Sequence, residues 1–305
     1  MVLRSPWKTA KLELEELKRS LPPSGAEQAL WKKSALDPVA WVLDNKLLPA
    51  LDPWQISALR SQAHQAIWLI NRQAGKSTIA ALIALHRAIY KPGLILMVSR
   101  SIRQSGELFK KFESAYSKLE DPPGMTKSTE LSCELANGSR VVSLPDSEGT
   151  VRGFSSVDLL IEDESSRVSD DLYFAIRPML AISQGQLLLL GTPAGRRGHF
   201  YETWISDSPG WEKVLITADD CPRISKNFLN QERLSMPESV FLTEYFCQFQ
   251  DNLDQIFSSD LVDSLFNDQI EPLFPQRETL KVLTISDSLI NPNLKTLAEE
   301  AEDGL

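Results

Sequence analysis

The chain has 305 residues, 42% of them hydrophobic and 24% charged. That is enough to bury one large core, or one core with a small appendage, and it excludes wholesale disorder. The 32 basic and 41 acidic side chains leave a net charge of -9, which excludes a protein that coats nucleic acid with its whole surface, so any contact with DNA must use a local patch. The opening residues, Met1 to Lys8, carry no apolar signal core and no later stretch reaches spanning length, so the expected location is the cytoplasm, without a membrane. Cys133, Cys221 and Cys247 are far apart, as are His64, His86 and His199. They read as reduced thiols and ordinary helix or loop histidines rather than a disulfide framework or a zinc site.

Thr9 to Leu21 has the pattern of an amphipathic helix ending at Pro22-Pro23-Ser24-Gly25. A second preliminary stretch from Asp37-Pro38 to Leu51 leads through Asp52-Pro53-Trp54-Gln55 to the apolar run Ala66 to Ile70. From there short apolar runs at Leu94–Val98, Val157–Ile161, Gln186–Leu190 and Val214–Thr217 predict the strands of a parallel sheet covered on both faces. Ser77–Tyr90 and Ser101–Leu119 have helical spacing and are expected to cover those faces. Leu131–Leu135 and Arg140–Ser143, joined through Asn137-Gly138, read as a β-hairpin at the sheet edge. After Thr217 the pattern is helical, with Pro222 and Pro237 as punctuation and Phe241, Tyr245 and Phe246 as a packing stripe, which predicts a small helical lid.

Three strand ends carry chemistry. The run Ala66–Ile70 passes directly into Asn71-Arg72-Gln73-Ala74-Gly75-Lys76-Ser77-Thr78 and then a helix, the setting of a phosphate-binding loop, although Ile70 stands where G-x-x-x-x-G-K-[ST] has its first glycine. Backbone N–H groups at the helix start cradle phosphate oxygens, Lys76 reaches the β- and γ-phosphates, and Ser77 offers its hydroxyl to Mg²⁺. The strand Leu159-Leu160-Ile161 ends in Glu162-Asp163-Glu164, which assigns Asp163 to Mg²⁺ and Glu164 to the attacking water. Gly191-Thr192-Pro193 follows a third strand, where the Thr192 hydroxyl is placed to sense a γ-phosphate. Such strand ends converge on one ligand in a doubly wound sheet.

Taken in order, Trp54-Gln55, Arg72 to Ser77, Ser99 to Phe109, Asp163-Glu164 and Gly191-Thr192-Pro193 resemble the ATPase half of the bacteriophage terminase large subunit. The resemblance implies a doubly wound, mostly parallel α/β sheet of the RecA- and helicase-like P-loop ATPase type, with a β-hairpin and a small helical lid. It divides the chain into an N-terminal helical segment (1–50), a P-loop ATPase core (51–217), a helical lid subdomain (218–260) and a linker with an acidic tail (261–305). By resemblance, Trp54 and Gln55 match the adenine-binding segment, Gln73, Ala74, Gly75, Lys76, Ser77 and Thr78 bind ATP, and Arg72 responds to the γ-phosphate. Thr192 couples hydrolysis to DNA movement, and Arg152 acts on the nucleotide of a neighbouring subunit. Arg196-Arg197-Gly198-His199 and Lys110-Lys111 are candidate DNA or partner contacts. The implied cofactors are ATP and Mg²⁺, and the implied partners are double-stranded DNA, the portal protein, the terminase small subunit and further copies in a ring.

Full members of that family continue into a two-metal nuclease, whereas Glu278 to Leu305 offers one strand pattern, Lys281–Asp287, and an acidic tail. Nuclease activity is therefore not expected, and the chain reads as a truncated prophage product or as half of a split enzyme with a separately encoded nuclease. The competing readings are a helicase-like DNA-remodelling ATPase and a non-hydrolysing nucleotide-binding relic.

Overall fold

The computed structural model describes residues 33–146 and 153–251, with Leu261, Ser264 and Leu265 beyond them. The helix expected over Thr9–Leu21, Arg152, and the strand and acidic tail after Glu278 lie outside the described residues. The chain divides into two compact units, Met1–Leu253 and Asp254–Leu305. Among the described residues no helix is long and apolar enough to cross a membrane.

Two short helices come first, α1 (Pro38–Asp44) and α2 (Pro53–Arg60). Both begin with proline after an aspartate cap, since proline's fixed φ suits the first helical position and its missing N–H is not needed there. Strand β1 (Gln65–Ile70) then leads to α3 (Lys76–Tyr90), β2 (Leu94–Ser99) and α4 (Ile102–Tyr116). Next come β3 (Met125–Ser128), β4 (Ser132–Leu135), β5 (Arg140–Pro145) and β6 (Val157–Asp163). The remainder is α5 (Asp170–Ile176), β7 (Gln186–Gly191), α6 (Gly198–Ile205), β8 (Trp211–Ile216), α7 (Lys226–Ser235) and α8 (Glu238–Phe246).

The strands form one sheet in the order β3-β4-β5-β2-β6-β7-β1-β8. Every pairing from β5 across to β8 is parallel, and only β3-β4 and β4-β5 are antiparallel. The expected hairpin is thus β4-β5, with β3 as an unexpected outer strand. β3 is short and exposed on most of its length, so no alternation of apolar residues marks it in the sequence.

Side chains alternate between the two faces with the two-residue period of a strand. Trp68 and Ile70 of β1, Ile95 and Met97 of β2, Leu159 and Ile161 of β6, and Leu188 and Leu190 of β7 pack on one face with α1 to α4. Ile67, Leu69, Leu96, Val98, Leu160, Leu187 and Leu189 pack on the other, against Leu172, Tyr173 and Ile176 of α5 and Phe200 of α6. The two helices expected to cover the sheet, α3 and α4, therefore lie on the same face. The opposite face is covered by α5 and α6, which are too short for a helical period to stand out. β8 has one strand partner and is half exposed, so it is an edge strand rather than the doubly covered strand its apolar run suggested.

Gly185, just before β7, packs so closely on the start of β6 that an added Cβ would lie 2.0 Å from the carbonyl oxygen of Val157, a backbone atom that cannot step aside. Gly124 faces open space. Gly185→Ala should therefore destabilise the fold by about 1–3 kcal/mol through overpacking, seen as a drop of several degrees in a thermal melt. Gly124→Ala should melt near the parent, and equal melting of the two variants would contradict this packing.

Candidate active site

The loop expected to bind phosphate runs from Asn71 to Gly75 between β1 and α3. Its N–H at Asn71 continues the β1-β8 ladder by donating to the carbonyl of Ile216 at 2.9 Å. The turn is made by two residues in the left-handed region, Gln73 (φ 66) and Gly75 (φ 92). A left-handed conformation costs a side-chain-bearing residue roughly 1–2 kcal/mol, so Gln73 is held there by its surroundings. Ile70, in place of the usual first glycine, is fully buried as the last residue of β1. The loop thus turns without the glycine that the general pattern places there.

Gln55 and Arg223 hold the loop from outside. The Gln55 amide accepts from the N–H of Asp52 at 3.0 Å and donates to the carbonyl of Ala74 at 3.2 Å. Arg223 donates to the same carbonyl at 2.9 Å and pairs with Asp52 at 2.7 Å. Trp54 is buried and meets Trp68 edge-on, with ring centroids 6.0 Å apart. Both residues of the expected adenine-binding segment are thus packed beside the loop, and the amide of Gln55 is engaged with backbone.

Opposite the loop, the end of β6 delivers Asp163 and Glu164. Asp163 continues the face shared by Leu159 and Ile161, is buried, and accepts from the N–H of Glu164 at 3.1 Å, with Ser77 and Lys76 as neighbours that favour its charge. Burial raises its pKa against the opposing pull of Lys76. Glu164 takes a left-handed conformation (φ 55, ψ 39) that turns its carboxylate back to the loop. Lys76 Nζ lies 3.0 Å from its Oε1, and Arg167 lies 3.2 Å from its Oε2. Burial opposes the charge on Glu164, but Lys76 and then Arg167 outweigh it and leave the pKa below the ordinary carboxylate value.

Lys76, Ser77, Thr78, Gln73, Gly75 and Glu164 line one cleft of about 730 Å³, together with Arg72, Arg100, Gln104, Lys111 and Arg167. Five cationic side chains thus face one cleft in a protein of net charge -9, a local field suited to a polyanion. Arg72 pairs with Glu244 of α8 in this structure, and its N–H donates to the Glu244 carbonyl at 3.3 Å. Thr192 is buried at the end of β7 with its hydroxyl unpartnered, while its carbonyl accepts from Ser166. Lys111 lines the cleft, whereas Lys110 is exposed and pairs with Glu107.

His199 does not belong to an exposed basic patch. Its ring is buried, stacks on Tyr173 with centroids 4.1 Å apart, and touches two carboxylates, Glu162 at 2.6 Å and Asp170 at 2.8 Å. The sequence separates these residues by up to 37 positions, and no motif joins them. The three cysteines are free and buried, and burial pushes Cys133 to about 11 and Cys247 to about 12. These thiols are not nucleophiles at neutral pH.

An open α/β sheet with a P-loop at the tip of one strand and carboxylates at the tip of another defines a RecA-like P-loop domain. The family model for the N-terminal part of the terminase large subunit, T4likevirus-type, matches residues 67–263, and the chain belongs to that family. The large terminase subunit of Escherichia phage T5 is 25% identical over 213 residues, covering 67% of this chain and 48% of that protein. The corresponding subunit of Thermus phage G20c is 22% identical over 244 residues and is covered to 50%. The chain thus spans about half the length of these relatives. Among solved structures, the HK97 large terminase (TM-score 0.60, 20% identity) covers 70% of this chain and is itself covered to 55%. The Thermus phage P74-26 large terminase ATPase domain (TM-score 0.57, 20% identity) also covers 70% and is itself covered to 99%. The fold is that of the terminase ATPase domains.

Burial disfavours charge on His199, but Glu162 and then Asp170 outweigh it and raise the pKa above the ordinary value. A raised imidazole stabilises the fold fully below the unfolded value of about 6.5, and this contribution is lost as pH rises through the higher folded-state value. The melting-temperature gap between the parent and His199→Gln should therefore be wider near pH ~6 than near pH ~9. A gap that widens with pH would reverse the sign.

Proposed function

We propose that this chain is the ATP-hydrolysing motor domain of a DNA-packaging terminase large subunit, driving double-stranded DNA into a procapsid. The observation that carries the reading is the 3.0 Å approach of Lys76 to Glu164 across the mouth of the phosphate loop. It sets a phosphate-seeking cation and a carboxylate within reach of one γ-phosphate. One structural neighbour, the large terminase of a thermophilic bacteriophage, has the same fold (TM-score 0.56, 11% identity) and was solved in complex with ADP, which supports nucleotide binding at this loop.

In this reading the N–H groups from Gln73 to Thr78 receive the phosphates and Lys76 exchanges Glu164 for the γ-phosphate. One oxygen of Glu164 is thereby freed to orient the attacking water. A bond forms from that water to the γ-phosphorus as the bond to the β–γ bridging oxygen breaks, the water's proton passes to an oxygen of the transferred phosphoryl group, and ADP and inorganic phosphate leave. Arg167, still paired with the other oxygen of Glu164, favours its charged form, and a loose phosphoryl-transfer transition state needs positioning more than a strong base. Ser77 and Asp163 are neighbours whose hard oxygen donors fit Mg²⁺. When bound, Mg²⁺ neutralises charge on the phosphates. Trp54 and Gln55 border the adenine, Arg72 leaves Glu244 for the γ-phosphate, and the unpartnered Thr192 hydroxyl reports hydrolysis to the DNA. Arg152 serves the nucleotide of the next subunit in a homo-oligomeric ring in the host cytoplasm. The portal protein, the terminase small subunit and a nuclease encoded separately or elsewhere in a longer protein complete the machine. The division into core (51–217) and lid (218–260) is part of the same proposal.

Glu164→Gln should slow single-turnover hydrolysis at least about 100-fold. It should keep or tighten ATP binding, because Lys76 loses its competing carboxylate. Rapid-quench measurement of phosphate release beside calorimetric binding separates the two, and unchanged turnover would defeat the assignment.

A further inference from the structure

The turn that carries Glu164 is built from both faces of the sheet, and one side has no place in the scheme above. Along β6, Asp163 faces the loop before α3, so the two-residue period sends Glu162 to the opposite face, the one that carries Leu160 and is covered by α5 and α6. Glu162 is fully buried there. A carboxylate removed from water is costly unless paired, and an aliphatic side chain would pack on that face without the cost. Its Oε1 accepts from His199 Nε2 at 2.6 Å and from the Ser165 hydroxyl at 2.7 Å.

These bonds form a clamp around Glu164. Glu162 and Ser165 flank the Asp163-Glu164 pair and bond to each other across it, and His199 lies 3.1 Å from the same hydroxyl. Glu164 itself is held in the left-handed region at φ 55, a conformation that its neighbours must impose. His199 is fixed in turn by Asp170, which receives both its Nδ1 (2.8 Å) and its backbone N–H (2.7 Å), and by the ring of Tyr173. Gly198, at φ +82, lets the backbone approach Asp170 that closely.

We propose that His199 is a positioning residue for hydrolysis, holding the Glu164 turn in register from the far face of the sheet through Glu162 and Ser165. This rests on the assignment of Glu164 to the attacking water. His199 does not line the phosphate cleft, so its role belongs to the chemical step and not to nucleotide affinity. A displacement of about 1 Å in a water-orienting group costs on the order of 100-fold in rate.

The experiment measures ATP-analogue affinity, single-turnover hydrolysis with Mg²⁺ and DNA, and melting temperature for the parent, Glu164→Gln, His199→Ala and the double variant Glu162→Gln/His199→Ala. The double variant removes the buried charge that His199→Ala strands, and so guards against simple unfolding. The expected result is affinity within about two-fold of the parent and hydrolysis about 10- to 100-fold slower in both His199 variants, with the melting temperature recovered in the double variant but not its rate. Recovery of rate together with stability assigns His199 a merely structural role and overturns the proposal, as does parental hydrolysis in His199→Ala. A parent that turns over while Glu164→Gln does not keeps the ATPase reading intact in either case. A parent that binds ATP but never hydrolyses it overturns both.

Discussion

Everything at the site depends on the two-residue period of β6 at the point where the strand ends. Three consecutive carboxylates leave one backbone in three directions, Glu162 to one face, Asp163 to the other, and Glu164, turned by its left-handed conformation, back over the phosphate loop. Glu162 meets His199 and Glu164 meets Lys76, while Asp163 neighbours Ser77. Asp163 and Glu164 already oppose each other's charge beside Lys76, and without the period Glu162 would join them in one volume. With it, the sheet itself insulates Glu162 from the cleft while a single peptide chain keeps all three mechanically linked.

The phosphate loop is the second fixed point, because elements far apart in sequence end on it. Gln55 from α2 and Arg223 from the segment before α7 converge on the carbonyl of Ala74. Arg72 joins Glu244 of α8 by backbone and side chain. The thiols of Cys221 and Cys247 reach Asn71 and the carbonyl of Ile216, the last residue of β8. The helices after β8 are therefore tied to the loop between β1 and α3, and any ligand that competed for Arg72 would act on α8 at the same time. The Arg72–Glu244 pair is the contact through which such coupling would pass, because it joins the loop to α8 by both backbone and side chain.

What the sequence discloses follows from how locally each feature is encoded. The strand-loop-helix around Lys76 and the carboxylates after Ile161 are written in contiguous residues, so Lys76, Ser77, Asp163 and Glu164 are legible and the fold brings them together. The Glu162–His199–Asp170 cluster is assembled from β6, α5 and α6, and in the sequence Glu162 is only the first of three acids while His199 is a solitary histidine beside two arginines. The role of Arg223 is equally hidden, because its partner Ala74 contributes a backbone carbonyl, which leaves no trace in residue identity. α5 and α6 leave little trace in the sequence for a related reason: with 7 and 8 residues, they complete about two turns, too few for periodicity to separate from chance.

The missing first glycine of the loop has a local explanation of the same kind. A longer glycine-rich lead-in lets the backbone wrap a phosphate through several left-handed residues, whereas here Ile70 remains in the strand and Asn71 still pairs with Ile216. The ladder between β1 and β8 runs one residue further, and the whole reversal falls on Gln73 and Gly75. Gly75 accepts its conformation freely, and there a Cβ would press on Gln55 at 3.2 Å. Gln73 does not, and its strain of roughly 1–2 kcal/mol is borne by the bonds that fix its neighbours, those of Arg72 to Glu244 on one side and of Ala74 to Gln55 and Arg223 on the other. The loop's shape is thus set by side chains of α2 and of the segment from Cys221 to Phe246 where other loops use glycine. That is why a departure in sequence leaves Lys76 and Ser77 facing the acidic tip of β6.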